Sequence, residues 1–317
     1  MTARIAVAVC TWNRASSLRR ALESICRAID VLGEPVQLVV VNNNCTDHTD
    51  EVTAALAARR PITLVHEPRA GIAHARNAAI QAAGADYIVW TDDDVIVSSG
   101  WLAAYARAFA AHPQAVFYGG RIRPAFEPQP PGWLAASWPQ VSGIYAVRDL
   151  GERPQRITRE SELPYGANFA LRLDVQRRHP YDPRLGRQPT NYWLAAEETQ
   201  VLAQLLAAGH EGWWVPEAEL VHCIPRERQT LAFIARHAFG VGQSKEISDP
   251  SGGRWRLLGR PLWVWRKWAA ALGRAGLAAA TGRSPTWLPA FYRAAEWSGR
   301  LAPPPIRRPT PRGPRER

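Results

Sequence analysis

The chain has 317 residues, 46% of them hydrophobic, and a formal net charge of +11, so it is long enough for one large domain or a domain with an appendage. No run of 18 or more apolar residues is present, which excludes an obvious membrane-spanning helix, and the first residues lack the pattern of a secretion signal. The four cysteines, at positions 10, 26, 45 and 223, include no Cys-x-x-Cys pair, which excludes a zinc ribbon or a disulfide framework. We therefore expect a cytoplasmic protein with free thiols.

The first part of the chain alternates short β-branched runs with helical patterns. In chain order the predicted elements are strand Ile5–Cys10, helix Ala15–Ile29, strand Val36–Val41, helix Thr49–Ala58, strand Ile62–His66, helix Ala73–Ala83 and strand Tyr87–Trp90. This alternation with short linkers predicts an α/β fold in which helices cover both faces of a mainly parallel sheet. Ligands of such sheets bind beyond the carboxyl ends of the strands.

The middle of the chain is less regular. Residues 120–160 include Pro124, Pro128, Pro130, Pro131 and Pro139, which argue against regular structure, and a long loop inside a compact domain is usually functional. Regular structure returns with a predicted helix over Glu197–Ala208, which Gly209 ends.

Polar clusters follow three of the predicted strands. The segments are Thr11–Arg14, Asn42–Asp47 and Asp92–Asp94. Because the carboxyl ends of parallel strands share one edge of the sheet, we expect these clusters to converge on one crevice.

The triplet Asp92-Asp93-Asp94 has the most specific chemistry of the three clusters. Adjacent carboxylates repel one another unless a positive charge offsets them. A divalent cation that bridges phosphate groups does so, held by one or two carboxylates and by substrate oxygens. The alternatives are a solvated acidic turn, or Asp94 capping the next helix.

A second acidic pair, Glu197-Glu198, opens the helix that follows the loop. A carboxylate within reach of a substrate hydroxyl can accept its proton as a general base. The alternative is that both acids only stabilise the positive end of the helix dipole.

The ordered motifs resemble glycosyltransferase family 2, whose members have the GT-A (nucleotide-diphospho-sugar transferase) fold. Six segments between about residues 4 and 222 carry the resemblance: Thr11-Trp12-Asn13-Arg14, Val41–Thr49, Gly71–Asn77, Asp92–Asp94, Gly166–Arg172 and Glu197–Thr199. The resemblance implies an inverting enzyme that moves a sugar from a nucleotide-diphosphate sugar to an acceptor hydroxyl, in cell-surface polysaccharide or glycolipid biosynthesis. It also implies a divalent cation, Mn²⁺ or Mg²⁺.

The resemblance assigns roles to individual residues. The implied base is Glu198, with Glu197 as the second candidate. The implied nucleotide-sugar contacts are Thr11, Asn13, Arg14, Asn42, Asn43, Asp47, Arg76, Asn77, Asp92 and Asp93. The implied metal ligands are Asp94, Asp92 and His222, although a lone histidine after an apolar strand can equally be structural. The implied acceptor-side residues are Gly166, Asn168 and Arg172.

Two residues depart from the family pattern. Asn42 stands where the family has an aspartate that contacts the base, and an amide still donates and accepts hydrogen bonds. Glu198 stands where the family has the catalytic aspartate, so its carboxylate is one methylene further from the backbone. Two other functions are a sugar-phosphate nucleotidyltransferase, whose Gly-rich loop is missing after the first strand, and a non-catalytic membrane-associated adaptor.

The basic character of the chain is confined to its last fifth. Residues 253–317 hold 14 of the 39 basic residues and two of the 28 acidic ones, a local charge of +12, whereas the rest carries −1. The same stretch holds six of the 14 tryptophans. Tryptophan with arginine and lysine is typical of helices that lie on anionic membranes.

The domain prediction follows from this division. We expect a GT-A catalytic domain over 1–245, with a nucleotide-sugar half (1–120) and an acceptor half (121–245). A basic, Trp-rich helical arm over 246–300 and a disordered tail over 301–317 complete the chain. The arm either holds the enzyme at the inner face of the cell membrane, through Trp265, Trp268, Leu272 and Ala279, or packs on the catalytic domain. No motif supports a nucleic-acid partner.

Overall fold

A computed structural model of the protein describes residues 3–189, 191–281 and 287–302. The strands are β1 (Ile5–Thr11), β2 (Val36–Asn42), β3 (Ile62–His66), β4 (Tyr87–Asp92), β5 (Val95–Val97), β6 (Phe117–Glu127), β7 (Gln155–Ile157), β8 (Asn168–Arg172), β9 (Gly212–Pro225), β10 (Arg256–Leu257) and β11 (Arg260–Pro261). The helices are α1 (Ala15–Leu32), α2 (Thr49–Ala57), α3 (Ile72–Ala82), α4 (Trp101–Ala111), α5 (Gly132–Ala136), α6 (Trp138–Val141), α7 (Leu173–Arg178), α8 (Glu197–Ala207), α9 (Leu231–Ser248), α10 (Leu262–Ala280) and α11 (Trp287–Leu301).

The central sheet has the strand order β3-β2-β1-β4-β8-β6-β9-β5, with β7 paired to β9. Its first four strands are parallel, as predicted, because helices cross between them. The second half is mixed, since β8 runs antiparallel to both β4 and β6. The parallel order therefore covers less of the sheet than the sequence predicted.

The predicted early elements are confirmed to within a few residues, because their hydrophobic runs fill both faces of the sheet. Alternate residues of β1 belong to different cores: Val7 and Val9 pack on one face of the sheet, and Ala6 and Ala8 on the other. The register pairs Thr11 with Asn42, and Cys10 with Asp92. The polar residues after these strands thus lie at one edge of the sheet.

The prediction of an irregular loop over 120–160 is wrong in part. The strand β6 runs through Pro124 to Glu127, and beyond Gly119 its neighbour among the described strands is β9, with one isolated bridge from Ile122 to Arg148. A proline is tolerated there because one side of the strand has no ladder to complete. The short helices α5 and α6 follow and supply Leu134 and Val141 to a third hydrophobic core.

The carboxyl-terminal helices pack on the rest of the molecule. The helix α9 runs through the predicted domain boundary at 245/246, so no break between units lies at that point. A Cβ at Gly242 would lie 1.9 Å from the Glu296 carbonyl oxygen, and one at Gly299 would lie 1.9 Å from the Phe239 carbonyl oxygen. The backbones of α9 and α11 are therefore in direct contact.

The helical nature of the arm is confirmed, but its predicted lipid-facing side is not fully exposed. The Trp268 indole donates to Ser298 Oγ at 3.0 Å and is half-buried against α11. Across the described ranges, no helix combines the length and the apolar character needed to cross a membrane. The predicted tail falls outside the described residues from position 303 onward.

Candidate active site

A cavity of about 680 Å³ lies at the carboxyl edge of the parallel strands, a volume typical of small-molecule sites. It gathers residues from each polar cluster that the sequence singled out. The predicted residues that line it are Thr11, Arg14, Asn43, Arg76, Asp92, Asp93, Asp94, Gly166, Glu197, Glu198 and His222.

Within the acidic triplet, Asp93 faces inward. The Thr11 hydroxyl donates to Asp93 Oδ2 at 2.8 Å, and Arg14 Nη1 donates to Oδ1 at 3.0 Å. Burial raises the pKa of Asp93, although the Arg14 guanidinium opposes that rise. Asp93 thus ties β4 to the polar turn after β1, and both of its oxygens are engaged in that contact.

One carboxylate oxygen of Asp94 accepts hydrogen bonds from two arginines. Arg228 Nη2 and Arg14 Nη1 donate to its Oδ2 at 2.7 and 2.9 Å, and His222 Nε2 lies 3.5 Å from its Oδ1. Burial alone would raise the pKa of Asp94, but His222, Arg228 and Arg14 together hold it well below its usual value. Asp94 is consequently an anion at neutral pH.

The second nitrogen of His222 is fixed by the backbone. His222 Nδ1 lies 2.7 Å from the Tyr145 carbonyl oxygen, which can only accept, so Nδ1 carries a proton. In the neutral ring, Nε2 therefore has a lone pair, which accepts from Arg228 Nη1 at 3.1 Å beside Asp94. This arrangement is the one that metal-binding histidines usually have.

These donors fit a divalent cation that completes its shell with substrate oxygens. The described residues contain no group of three or more His, Cys, Asp or Glu side chains placed to hold a metal ion. Asp94 Oδ1 and His222 Nε2 form a pair, whereas Asp92 Oδ1 lies 3.8 Å from Arg76 Nη2. The predicted set of Asp92, Asp94 and His222 is thus not assembled, because Asp92 is directed to Arg76. One or two protein ligands suffice where phosphates supply the others.

The acidic pair begins α8 after an alanine in the left-handed region, Ala196 at φ 75°, which is an uncommon conformation for that residue. Glu198 Oε1 accepts the Gly166 amide at 3.2 Å, and the rest of its carboxylate lines the cavity. Glu197 is buried, and Arg76 Nε lies 3.8 Å from its Oε1. Burial, followed by the charge of Glu198, raises the pKa of Glu197 to about 7.

Arg76 lies behind these carboxylates in an aromatic cage. Its guanidinium carbon is 5.5 Å from the ring centres of Trp90 and Tyr181 and 5.7 Å from that of Phe169. The residue is 4% exposed, and its Nη1 has no hydrogen-bond partner in the described structure. Arg76 is therefore fixed between Asp92 and Glu197 rather than extended into solvent.

Other predicted nucleotide contacts hold the loops of the site. Asn42 Oδ1 accepts the Cys45 amide and Asn13 Oδ1 accepts the Thr46 amide, both at 2.7 Å. Asp47 Oδ2 accepts the Ala15 amide at 2.9 Å, at the start of α1. These bonds shape the turn after β2, and the roles of Asn13, Asn42 and Asp47 toward a nucleotide stay predictions.

Asn43 and Asn77 are also engaged with backbone groups. Asn43 accepts the Gly71 amide at 2.8 Å and donates to two carbonyl groups in the segment before it. Asn77 exchanges two 2.9 Å bonds with the Tyr181 backbone. Asn43 still lines the cavity, whereas Asn77 holds α3 to the segment after α7.

Two of the three acceptor-side predictions are wrong. Asn168 is fully buried. Its Oδ1 accepts from the Trp101 indole and the Tyr105 hydroxyl, and its Nδ2 donates to the carbonyl oxygens of Arg121 and Ala218. It is a structural residue in the core of the sheet.

Arg172 lies at the other end of β8, paired with Tyr87 at the start of β4, and it contacts Asp174. It is therefore remote from the carboxyl edge. Gly166 does line the cavity, through the amide that Glu198 accepts.

Three cavity residues were missed by the sequence analysis. Tyr192 Oη accepts from Arg14 Nη2 at 2.7 Å and from Arg187 Nη1 at 3.5 Å, and the Arg187 guanidinium lies 5.2 Å from its ring centre. Burial raises the pKa of Tyr192, but Arg187, Arg14 and Arg228 lower it further than burial raises it. The position of Arg228 just after β9 was a usable signal, whereas Arg187 lies in an irregular segment without one.

The helix α11 forms part of the cavity wall. Pro289, Tyr292, Arg293 and Glu296 line it, next to Phe233 and Val241 of the adjoining helix α9. Glu296 is buried and pairs with Lys245 and Arg293. A helix assigned by the sequence to a separate arm thus contributes directly to the site.

Comparison with known proteins places this geometry among sugar-transferring enzymes. A family profile described as Glycosyl transferase family 2 matches residues 6–171. The glucosyl-dolichyl phosphate glucuronosyltransferase of Haloferax volcanii is 22% identical over 250 residues, covering 78% of this chain and 77% of that protein. The succinoglycan biosynthesis protein ExoM of Rhizobium meliloti is 25% identical over 250 residues, covering 77% of this chain and 74% of that protein.

A solved structure shares the fold. It is the mannosyltransferase PcManGT from Pyrobaculum calidifontis in complex with GDP-Man and Mn²⁺, with a TM-score of 0.62 and 20% identity. The match covers 95% of this chain and 88% of that one. The predicted GT-A fold is thereby confirmed.

Proposed function

The chain belongs to glycosyltransferase family 2 and is a glycosyltransferase, and from that premise we propose that it transfers a sugar from a nucleoside-diphosphate sugar to an acceptor hydroxyl with inversion at the anomeric carbon. The observation that carries this proposal is the placement of Glu198 and Asp94 on one cavity of about 680 Å³. A base and a site for the leaving diphosphate are the two parts that a single displacement needs.

Glu198 is the proposed general base. Its Oε1 is anchored on the Gly166 amide, which leaves the second oxygen to accept the proton of the acceptor hydroxyl. Glu197, whose pKa burial and the charge of Glu198 raise to about 7, lies buried beside Arg76 and is the second candidate.

The diphosphate of the donor is proposed to bind beside Asp94. Arg14 and Arg187 donate to the Tyr192 hydroxyl, and Arg228 donates to Asp94. Guanidinium groups are well suited to phosphate oxygens. A divalent cation, Mn²⁺ or Mg²⁺, would be held by Asp94 and His222 and would neutralise charge on the leaving group. The Mn²⁺ in the solved mannosyltransferase supports this assignment.

The acceptor is proposed to be a lipid-linked glycan. Part of the cavity wall is apolar and aromatic, with Ile144, Phe233, Val241, Pro289 and Tyr292. Such a wall suits an acceptor with an apolar portion better than a free sugar. The dolichyl phosphate in the name of the Haloferax relative supports the same class.

A lipid-linked acceptor requires that the enzyme reach a membrane surface. We propose peripheral attachment at the inner face of the cell membrane through the basic, Trp-rich residues after 252. The local charge of +12 over residues 253–317 supports this proposal, because cations near anionic lipid are attracted to it. Within 1–245 we retain a donor half (1–120) and an acceptor half (121–245) as a proposal, and we place α11 with the acceptor half.

The test is release of nucleoside diphosphate from a panel of UDP- and GDP-sugars, with Mn²⁺, Mg²⁺ or excess chelator. We expect metal-dependent turnover of at least one donor, and Asp94→Ala should abolish it while the protein stays folded. Full turnover in excess chelator would contradict the proposed metal role. A chain that binds nucleotide but never releases diphosphate would instead be the non-catalytic adaptor.

A further inference from the structure

An exposed apolar surface lies at the start of α10. It comprises Trp255, Leu257, Leu258 and Leu262, and we call it the hairpin surface. These side chains are 71%, 50%, 83% and 42% exposed. The strands β10 and β11 form a two-stranded hairpin whose turn is Leu258–Gly259.

The hairpin is fixed to the body of the protein. The Leu262 amide donates to the Trp255 carbonyl oxygen at 2.9 Å, and the Trp265 indole donates to the Leu257 carbonyl oxygen at 3.0 Å. Arg260 on β11 pairs with the buried Glu246 at 2.9 Å. The apolar side chains thus extend from a hairpin that is hydrogen-bonded and ion-paired to the protein, and not from a loose loop.

The turn contains a leucine where the backbone does not favour one. Leu258 has φ 49° and Gly259 has φ 77°, which is the geometry of a type I′ turn, whose first central position prefers Asn, Asp or Gly. A leucine in this conformation is less stable than in the right-handed region, because its Cβ crowds the following carbonyl oxygen. Because Leu258 is the most exposed large hydrophobic residue of the described chain, contacts within the fold do not offset that cost.

The charge around the hairpin surface has one sign. Arg254, Arg256, Arg266 and Lys267 are exposed, and none forms an ion pair with a carboxylate of the described residues. The sequence contains no Asp or Glu between Asp249 and Glu296. A second copy of the same surface would repel these cations, whereas an anionic lipid headgroup layer complements them.

We infer that the hairpin surface is the element that inserts into an anionic lipid bilayer. Leu258 and Leu257 enter the acyl boundary, Trp255 lies at the headgroup level, and Arg254, Arg256, Arg266 and Lys267 contact the headgroups. This inference rests on the proposed peripheral attachment and names the residues that make it. It replaces the predicted Trp265 and Trp268 face of α10, where Trp268 packs on α11.

The test is co-sedimentation of the full chain with two kinds of vesicles, phosphatidylcholine alone and phosphatidylcholine mixed with phosphatidylserine. We compare wild type with Leu258→Asn and with the double variant Arg266→Gln/Lys267→Gln. Asparagine tolerates the left-handed turn, so Leu258→Asn should retain or raise the melting temperature. The matched controls are Val31→Asn, at an exposed apolar position of α1, and Arg19→Gln/Arg107→Gln, at exposed bases elsewhere.

We expect wild type to bind the anionic vesicles and to be released by salt. Leu258→Asn should lower the affinity about tenfold with its salt dependence retained. The double variant should lower it roughly 30-fold, with a weaker salt dependence, because two surface cations are lost. Both control variants should bind as wild type does.

Each contrary result has a distinct meaning. If wild type ignores anionic vesicles, the proposed peripheral attachment fails and this inference fails with it. If wild type binds and Leu258→Asn binds equally well, only the hairpin inference is overturned. If Leu258→Asn dissociates a dimer without changing vesicle binding, the surface is a self-association site and the inference is overturned. Diphosphate release without vesicles, measured in parallel, reports on glycosyl transfer independently and should be the same in all these variants.

Discussion

At the scale of single residues, the acidic pair at the start of α8 separates two carboxylates that are adjacent in sequence. Glu197 is turned into the protein beside Arg76, while Glu198 is anchored at the cavity by the Gly166 amide. Adjacent positions on a helix do not face the same way, so one acid can be buried while the other remains at the surface of the cavity.

We expect Glu198→Gln to reduce turnover by roughly 10²-fold or more, the usual scale for loss of a general base. Donor binding should remain nearly intact, because the amide has the same shape and loses only basicity. Steady-state kinetics with a donor-binding measurement checks this, with Glu217→Gln at an exposed position of β9 as the control. If Glu197→Gln loses turnover to this extent and Glu198→Gln does not, the base is Glu197.

Because Glu197 is buried and has a raised pKa, we expect the stability of the protein to depend on pH. The pKa of Glu197 is about 7 in the folded protein and about 4.5 in the unfolded chain, so the folded state binds more protons between these values. Its contribution to stability is complete below about pH 4.5 and is lost as the pH rises through 7, with a slope approaching about 1.4 kcal/mol per pH unit.

The measurement is the free energy of unfolding by urea at several pH values between 4.5 and 7.5. Relative to wild type, Glu197→Gln should gain stability as the pH rises, because glutamine does not titrate. Glu217→Gln should follow wild type throughout. Equal slopes for wild type and Glu197→Gln would show that Glu197 is not the proton-holding group.

The arginines around Tyr192 predict an effect on donor affinity. Arg187 is exposed, with its guanidinium over the Tyr192 ring, and it pairs with no carboxylate of the described residues. We expect Arg187→Gln to raise the KM for the donor about tenfold with a smaller effect on kcat, since a charged hydrogen bond contributes about 1.5–3 kcal/mol. Arg184→Gln, whose arginine pairs with Asp182 nearby, is the control. A loss in kcat alone would place Arg187 away from the ground-state donor.

At the scale of secondary-structure elements, the sequence predicted best where the pattern was local. The strands β1 to β4 are continuous β-branched runs that the alternating helices bury on both sides, so their order and their shared polar edge followed directly. Asn168 shows the limit of a motif. Its position in Gly166–Arg172 matched the family, but β8 turns that side chain into the core. Nothing local to the sequence indicates which face of an antiparallel strand a polar residue occupies.

The contact between α9 and α11 could not be predicted from the sequence, because it depends on two glycines far apart in the chain, Gly242 and Gly299. A methyl group at Gly242 would overlap the Glu296 carbonyl oxygen, so Gly242→Ala should destabilise the protein by about 1–3 kcal/mol through forced separation of the helices. The matched control is Gly273→Ala in α10, where a Cβ meets nothing within 4 Å. Gly273→Ala should stabilise the protein by about 0.5–1 kcal/mol.

The free energy of unfolding of both variants, measured with urea, checks these predictions. Equal changes in the two variants would exclude a tight backbone contact between α9 and α11.

At the scale of the whole molecule, the question is whether the basic region is an attachment or a part of the enzyme. Its charge and tryptophan content suggested a separable arm. The structure instead places α11 against α9 and in the wall of the cavity, with Leu288 in a hydrophobic core shared with α5, α6 and β9. Both descriptions apply, because α10 and the hairpin surface face outward while α11 faces the site.

Two truncations separate these roles. Removing residues 253–317 deletes α10 and α11, exposes the apolar side of α9 and opens one wall of the cavity. We therefore expect loss of turnover even with a soluble acceptor, together with a lower melting temperature.

Removing only residues 303–317 deletes five arginines and one glutamate and leaves every described helix intact. That protein should fold and release diphosphate as the full chain does, and it should bind anionic vesicles more weakly, since each lost cation near the surface contributes about 1 kcal/mol. Thermal unfolding, diphosphate release and vesicle co-sedimentation on both truncations give the answer. Full activity and an unchanged melting temperature after removal of 253–317 would show that the catalytic unit ends before α10 and that α11 has no part in the site.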